Sequence, residues 1–347
     1  MQPLLISFFS FLTAYFSTPL FKRLAIKFNI LDAPGRRKIH KEPTPLLGGL
    51  AVYLGVIIGL AFNFANLRFL LGIVIAATII LIIGLIDDIR GLSAQARLIG
   101  QFLAAVIMIS FGIRLSFLPN NLWGNTGEII LTLIWIIGIT NALNYLDGID
   151  GLAAGTAAIS ALFFSIISYQ THQPGMGLVS LILMASCLGY LPHNFKKAKI
   201  FLGDTGSTFI GFTLAGIAII GNWAEDNVIK LVIPILILGV PIFDMVFTTI
   251  MRIKEEKIST IIEWLKYGGK DHFHHRLLDL GLRSTGAMLF ICFISISFGI
   301  SAIMVSNEKA IVGALSILQA CIIFTGIAVL MVIGKRRRSG WNIRDKA

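Results

Sequence analysis

The chain has 347 residues, of which 56% are hydrophobic and 14% are charged, and its formal net charge is +11. So little charge excludes a soluble globular domain, and apolar stretches long enough to cross a bilayer recur from end to end. The sequence therefore predicts an all-α, polytopic membrane protein that forms one transmembrane domain over residues 1–347.

Apolar length predicts about eleven transmembrane helices. They lie near residues 3–22, 46–65, 69–87, 98–113, 128–144, 151–169, 176–192, 207–222, 229–250, 287–305 and 310–333. The fourth stretch is short and is interrupted by Gly100. The three cysteines all lie inside apolar segments, which is typical of buried small side chains and not of disulfides or zinc ligands.

The basic residues separate sharply when the loops are assigned alternately to the two sides of the membrane, with the N-terminus outside. Of the 29 Lys and Arg residues, 25 lie on one side, and the other side has only Arg68, Arg114, Lys230 and Lys309. Positive charge marks the cytoplasmic side, so the C-terminus is predicted to be cytoplasmic. The cytoplasmic loops then lie near 23–45, 88–97, 145–150, 193–206 and 251–286. Because the positive charge is concentrated in the loops on one side of the membrane, the net charge of +11 does not indicate nucleic-acid binding.

Two adjacent acids, Asp87 and Asp88, end the third predicted helix. This helix runs inward, so its C-terminal dipole disfavours negative charge at that position. The two acids therefore need a metal, a basic partner or solvent. Two solvated acids at a helix end are the simpler alternative.

The fifth predicted helix ends in a polar segment in which Asn141, Asn144 and Asp147 are spaced by three residues. They share one face if the helix continues that far. Asp150 stands just before the next helix, where it can act as an N-cap. Capping alone explains Asp150 but not two asparagines in the last turn, so the cluster indicates a polar site.

The segment from Phe201 to Ser207 leads directly into the eighth predicted helix, whose positive N-terminus faces the cytoplasm. Free backbone amides, glycines and hydroxyl groups there suit an anion. Asp204 is an acid at this anion site, which makes sense if a divalent cation lies between the two. Mg²⁺ fits, because it combines one or two protein oxygens with water and substrate phosphate, although an ordinary Asp/Ser cap is the alternative.

Residues 271–276 read Asp-His-Phe-His-His-Arg in the last large cytoplasmic loop. Histidines at this density suit a zinc site, or a clamp in which the histidines and Arg276 donate hydrogen bonds to phosphate or hydroxyl groups. An ordinary surface loop is the third alternative. Asp244, near the cytoplasmic end of the ninth helix, is either a functional acid or the partner of a nearby cation.

Two basic groups, residues 36–41 and 196–199, are explained by the positive-inside distribution, and either can also attract an anionic substrate. Part of the loop 251–286 is amphipathic, with Ile258, Ile261, Ile262 and Leu265 at helical spacing. It is predicted to lie on the membrane surface or against the bundle. Lys335–Arg338 are interpreted as an orientation anchor at the anionic leaflet.

Taken together, these motifs resemble the polyprenyl-phosphate N-acetylhexosamine-1-phosphate transferases, and most closely the bacterial undecaprenyl-phosphate N-acetylglucosaminyl-1-phosphate transferases. The landmarks occur in order along nearly the whole chain: Pro43–Gly49, Asp87–Asp88 with Arg97, Asn141–Gly151, Phe201–Ser207, Pro241–Asp244 and His272–Arg276. The related phospho-N-acetylmuramoyl-pentapeptide transferases typically have three consecutive histidines in the last motif. Arg97 is a departure, because some relatives have Lys there and the donor geometry differs.

The resemblance implies transfer of a sugar 1-phosphate from a UDP-N-acetylhexosamine to undecaprenyl phosphate, with release of UMP, at the cytoplasmic face of a bacterial inner membrane. It implies Mg²⁺, or Mn²⁺, held by Asn144 and Asp204. Catalytic roles are implied for Asp87, Asp88, Asp147 and Asp204, and substrate-binding roles for Thr44, Arg97, Asn141, Asp150, Phe201, His272, His274, His275 and Arg276. Phe201 is implied to stack on uracil. The downstream polymer and a homodimer are left open.

A transporter with acids along its pathway is the competing class, and a non-catalytic lipid-binding scaffold is a third possibility. Transport sites usually lie near the bilayer midplane and in related repeats. Here the acids lie at one end of the predicted helices and no internal repeat is visible. The sequence therefore favours an enzyme.

Overall fold

The computed structural model describes residues 2–35, 42–62, 70–260, 263, 264, 267, 269 and 271–344, with side chains up to residue 334. This part of the chain contains thirteen helices and one small antiparallel ribbon. The helices are α1 (Gln2–Lys27), α2 (Gly48–Ala61), α3 (Leu71–Arg90), α4 (Ala94–Ser110), α5 (Leu122–Leu146), α6 (Leu152–Gln170), α7 (Pro174–Asn194), α8 (Gly203–Ile220), α9 (Asn227–Ile237), α10 (Gly239–Lys254), α11 (Phe273–Asp279), α12 (Ser284–Val305) and α13 (Ala310–Arg344). The ribbon pairs β1 (Leu31–Asp32) with β2 (Thr44–Pro45).

The described chain is therefore an almost entirely helical, polytopic membrane protein. Eight of its helices are long and apolar enough to cross a membrane, and the bent pair α9–α10 makes up to nine. Every predicted span has a helix, but α2 and α4 are shorter apolar helices of 14 and 17 residues. The prediction of eleven spans and the orientation of the termini stay predictions.

The ninth predicted span is not one continuous helix. The chain bends by 75° between α9 and α10. Pro241 has no backbone N–H to donate to the preceding turn, and Gly239 and Pro234 flank the same point, so the helical ladder breaks there. The bend turns α10, which carries Asp244, away from the direction of α9.

The N-terminus of α8 is held tightly between two neighbouring helices by small residues. A side chain on Gly84 of α3 would lie 2.6 Å from the Asp204 carbonyl oxygen, and one on Gly49 of α2 would collide with the backbone of Gly206. Small residues allow helix backbones to approach closely inside a membrane. This packing places the first turn of α8 beside the end of α3.

Three predictions concern segments that lie partly or wholly outside the described residues. In the amphipathic segment, Ile258 is buried, whereas Ile261, Ile262 and Leu265 are not described. The basic residues 36–41 are not described either. The side chains of Lys335–Arg338 also fall outside the described part, although helix α13 continues through them.

Candidate active site

The acidic end of α3 pairs with α4. The Asp87 carboxylate accepts a hydrogen bond from the Leu92 amide at 2.5 Å, and its second oxygen lies 3.3 Å from the Arg97 guanidinium. Arg97 also lies 3.7 Å from the Asp204 carboxylate, and its side chain is 38% exposed. Arg97 therefore bridges two acids from different helices and still reaches solvent.

Asp88 binds the N-terminus of α8. One carboxylate oxygen accepts from the Asp204 amide at 2.8 Å, and the other accepts from the Thr205 amide at 3.0 Å and the Thr205 hydroxyl at 2.5 Å. The first amides of a helix have no partner within the helix, and a carboxylate there is favoured by the helix dipole. Asp88 thus acts as a capping residue supplied by a different helix.

The C-terminal end of α5 meets the first turn of α8. The Asn144 amide donates to Asp204 at 2.5 Å and to the Ser207 hydroxyl at 2.8 Å, so residues 60 positions apart in sequence come together. One turn earlier, Asn141 donates to Gln101 of α4 at 2.6 Å. Gln101 is buried, and this contact attaches α4 to the polar end of α5.

Asp147 and Asp150 follow α5 and have different surroundings. The half-buried Asp147 carboxylate has no hydrogen bond or ion pair to any described residue. Burial raises the pKa of Asp147 well above its ordinary value, and Asp204 and Asp88 raise it further. Asp150 does not cap α6, which begins after Gly151. It accepts from the backbone amides of Lys197 and Ala198 at 3.0 Å and so shapes the loop before Phe201.

Phe201 and Thr44 lie on adjoining segments at the edge of this acidic cluster. The Phe201 amide donates to the Pro45 carbonyl at 2.8 Å, and its own carbonyl accepts from Gly48 at 2.9 Å. The Phe201 ring is half-buried, and Thr44 is buried with its hydroxyl donating to the Glu42 carbonyl. Phe201 therefore lies two residues before α8, within the same local structure as the acids.

The histidine segment packs against the other side of the α5 end. The ring of His274 occupies the space where a side chain on Gly148 would lie, and Tyr145 contacts the His272 ring at a centroid distance of 4.8 Å. The ring of His275 packs against that of His274, with 4.2 Å between the ring centroids. The site therefore has an acidic part at Asp204 and a histidine part at His274, joined by residues 144–148.

His274 and Arg276 have hydrogen-bonding capacity that no described residue uses. Both are buried, and neither ring nitrogen of His274 nor the Nη2 atom of Arg276 has a partner in the described chain. Burial lowers the pKa of His274 to about 3, so this ring is neutral near pH 7. Buried polar groups normally find partners, and these atoms are therefore candidates for contacting a polar ligand.

The donor set at the acidic part suits a hard divalent cation. Carboxylate and amide oxygens are ligands that Mg²⁺ accepts. A 180° rotation of the Asn144 side-chain amide exchanges its nitrogen and oxygen, and places the oxygen beside Asp204. Arg97 is the one described cation within ion-pair distance of Asp87 and Asp204, which leaves negative charge uncompensated. No group of three or more His, Cys, Asp or Glu suited to a metal occurs in the described residues, and the zinc alternative gains no support at 271–276.

Three residues of the site were not identified from the sequence: Gln101, Gly148 and Arg252. Gln101 lies one helical turn after Arg97, and a polar side chain in an apolar stretch was the available signal. Ser207 lies in the Phe201–Ser207 motif but had no assigned partner. Gly148 and Arg252 gave no signal of their own, because their roles depend on His274 and Asp271, which are remote in sequence.

Comparison with known proteins gives consistent matches. Residues 70–222 match the family model described as glycosyl transferase family 4. The chain is 37% identical over 304 residues to the "Probable undecaprenyl-phosphate N-acetylglucosaminyl 1-phosphate transferase" of Bacillus subtilis, which covers 86% of this chain and 83% of that protein. It is 31% identical over 360 residues to the decaprenyl-phosphate N-acetylglucosaminephosphotransferase of Mycobacterium leprae, covering 93% and 88% of the two chains. A Haemophilus influenzae undecaprenyl-phosphate alpha-N-acetylglucosaminyl 1-phosphate transferase is 31% identical over 299 residues, covering 83% of this chain and 82% of that protein.

Proposed function

The chain belongs to glycosyl transferase family 4, and we propose that it transfers N-acetylglucosamine 1-phosphate from a UDP-sugar to undecaprenyl phosphate. The products are UMP and a lipid with a pyrophosphate-linked sugar. The relatives named above are N-acetylglucosamine phosphotransferases, so neither a pentapeptide transferase nor a transporter is favoured. The reaction is the first membrane step of an envelope glycan such as an O-antigen or a teichoic acid.

The meeting of Asn144 with Asp204 is the observation on which this proposal rests. Two oxygen-bearing side chains, 60 residues apart, converge at the N-terminus of a helix where three further acids are close. A helix N-terminus favours phosphate, and the acids favour a cation that binds phosphate. Phosphoryl transfer requires positioning and charge neutralisation above all, and this arrangement supplies both.

Asn144 and Asp204 are the residues that would hold Mg²⁺ or Mn²⁺, and the bound ion would neutralise the diphosphate of the donor. Arg97 supplies positive charge to the same region through its exposed guanidinium. His274 and Arg276 donate hydrogen bonds to the diphosphate or sugar, and Phe201 offers a ring for the uracil. The phosphate of the acceptor is already ionised near neutral pH, so Asp87 orients the attacking oxygen and no strong base is needed.

An apolar cleft of about 590 Å³ between α10 and α13 supports a lipid acceptor. Four phenylalanines line it, together with Lys254, the last residue of α10. Phe247 forms part of the lining while its ring also lies under the Arg276 guanidinium, 5.0 Å away. The cleft thus reaches the histidine part of the site, as a prenyl chain with its phosphate at the interface requires.

The site is proposed to face the cytoplasm of a bacterial plasma membrane. The uneven distribution of Lys and Arg supports this orientation. Nucleotide sugars are soluble donors, and the acceptor phosphate lies at the inner leaflet. Both substrates can therefore meet only at this interface.

The deciding experiment is transfer by the purified protein. Undecaprenyl phosphate is incubated with radiolabelled UDP-N-acetylglucosamine and Mg²⁺, and lipid-linked label and UMP are quantified. UDP-N-acetylgalactosamine and UDP-N-acetylmuramoyl-pentapeptide are tested in parallel. We expect equal amounts of the two products with UDP-N-acetylglucosamine, and transfer of the pentapeptide donor alone would contradict the proposal.

A further inference from the structure

Four buried charged or titratable side chains connect α10 to the histidine segment. Asp244 and Arg252 lie two turns apart on α10, and Asp271 and His272 immediately precede α11. Asp244 is fully buried, and Arg252 is 2% exposed. Charges at such depth are stable only when they are paired and hydrogen-bonded, so each contact in this group matters.

The donors and acceptors in this group follow from chemistry. Arg252 donates to both oxygens of Asp271, at 2.9 and 2.7 Å, and its Nη2 also lies 3.1 Å from His272 Nε2. A guanidinium has donors only, so His272 Nε2 must accept. Nδ1 of the same ring, 3.0 Å from Asp244, must then carry the proton and donate it. Both nitrogens of His272 are thus used inside the protein.

Asp244 and Asp271 also hold the start of α11 and Arg276 in place through further hydrogen bonds. Asp244 also accepts from the Phe273 amide at 2.6 Å, at the start of α11. The Asp271 carbonyl accepts from Arg276 Nε at 2.8 Å, which leaves Arg276 Nη2 without a partner in the described chain. His272 also supports Tyr145, the residue after Asn144, through their ring contact.

We propose that Asp244, His272, Arg252 and Asp271 form a positioning network that sets Arg276 and His274 for the donor, and that His272 itself does not touch substrate. This inference rests on the proposed function for the role of Arg276 and His274. It reassigns His272, for which the sequence implied substrate binding. It also gives Arg252 and Asp244 roles in the reaction that act through other residues.

The first test is spectroscopic and does not depend on activity. The protein is labelled with ¹⁵N-histidine in bilayers, and the His272 signals are identified by their loss in His272→Gln among the six histidines. At the pH of the activity assay, we expect a protonated Nδ1 and an unprotonated Nε2, as the contacts with Asp244 and Arg252 require. An imidazolium, or a proton on Nε2, would overturn the network.

The second test compares His272→Gln, Arg252→Lys and the double variant in donor kinetics. We expect each single variant to lower kcat/KM for the UDP-sugar about tenfold or more, because the ligand-facing groups shift. The double variant should lose no more than the worse single variant, and the pH–rate profile of His272→Gln should keep its wild-type shape. Multiplied losses would show that His272 and Arg252 do not act as one network, and a pH–rate profile that loses its acid or alkaline limb would show that His272 acts directly on substrate.

His172→Gln is the matched control, because His172 is exposed at the opposite end of the molecule and should behave as wild type. If the wild-type protein does not use UDP-N-acetylglucosamine, the proposed function fails. The ¹⁵N spectra still decide the network in that case. The two inferences therefore fail separately.

Discussion

Asp147 has surroundings that suit a carboxylate poorly. It is half-buried, has no hydrogen bond to any described residue, and lies near other acids that raise its pKa together with burial. A protein keeps such a group when a ligand compensates the charge, so its cost to stability points to use in the reaction. The same reasoning predicts how its removal changes stability.

Asp147→Asn should raise the melting temperature of the chelator-treated protein at pH 7.5. Each ~1 kcal/mol by which the substitution increases the free energy of unfolding should raise the melting temperature by about 2–4 °C. The folded pKa lies above the unfolded pKa, so the stabilising contribution of the neutral carboxyl is lost as pH rises through the folded pKa. The advantage of Asn should therefore shrink as the pH is lowered towards the unfolded pKa, and turnover should be lost. Asp226→Asn, at the N-cap of α9, is the control. Equal melting temperatures for Asp147→Asn and wild type at pH 7.5 would contradict the prediction.

Gly148 is a second residue whose role is decided by a neighbour. The His274 ring takes the space of its missing side chain. Gly148→Ala should displace this ring and raise KM for the UDP-sugar about tenfold, with a smaller change for the lipid phosphate. Gly138→Ala on α5 is the matched control, since its new Cβ would lie 3.5 Å from Met245, an ordinary contact. Equal donor KM values for the two variants would disprove the assignment.

At the scale of elements, α8 is positioned by groups from three other helices. Asp88 of α3 caps its first turn, Gly49 of α2 and Gly84 of α3 allow close approach, and Asn144 of α5 binds Asp204. The sequence predicted α8 and its anion-binding N-terminus from apolar length and the Phe201–Ser207 motif. It could not predict that Asp88 is the cap, because the cap and the helix are separated by more than 100 residues and no local pattern joins them.

Asp88 and Asp204 should therefore respond differently to removal. Asp88→Ala should destabilise the protein by about 1–2 kcal/mol, because two backbone amides and a hydroxyl lose their acceptor. Asp204→Ala should abolish transfer without lowering thermal stability, since its carboxylate is proposed to hold the cation. The measurements are thermal unfolding and turnover with Mg²⁺, Mn²⁺ or a chelator. An active Asp204→Ala protein, or full activity in chelator, would remove the cation assignment.

For the whole molecule, apolar length predicted where the helices lie but not how they turn. The bend at Leu238 was missed because residues 231–243 around it are all apolar, and the prolines in this stretch do not reveal an angle of 75°. The positions of the polar motifs at helix ends were predictable, since charged groups are costly within the hydrocarbon. Their pairing was not, because Gln101 with Asn141 and Arg252 with Asp271 are contacts between separate elements.

The orientation of the molecule is the remaining whole-chain prediction, and single cysteines can test it. Cys187, Cys292 and Cys321 are first replaced, and cysteine is then introduced at Glu256 after α10 or at Asn307 between α12 and α13, both exposed. The distribution of Lys and Arg puts Glu256 in the cytoplasm and Asn307 outside. In right-side-out vesicles, a membrane-impermeant maleimide should label Asn307→Cys and leave Glu256→Cys unlabelled, and inverted vesicles should give the reverse. Labelling of both positions from the same side would rule out the span α12 between them, and with it a cytoplasmic active site set by this topology.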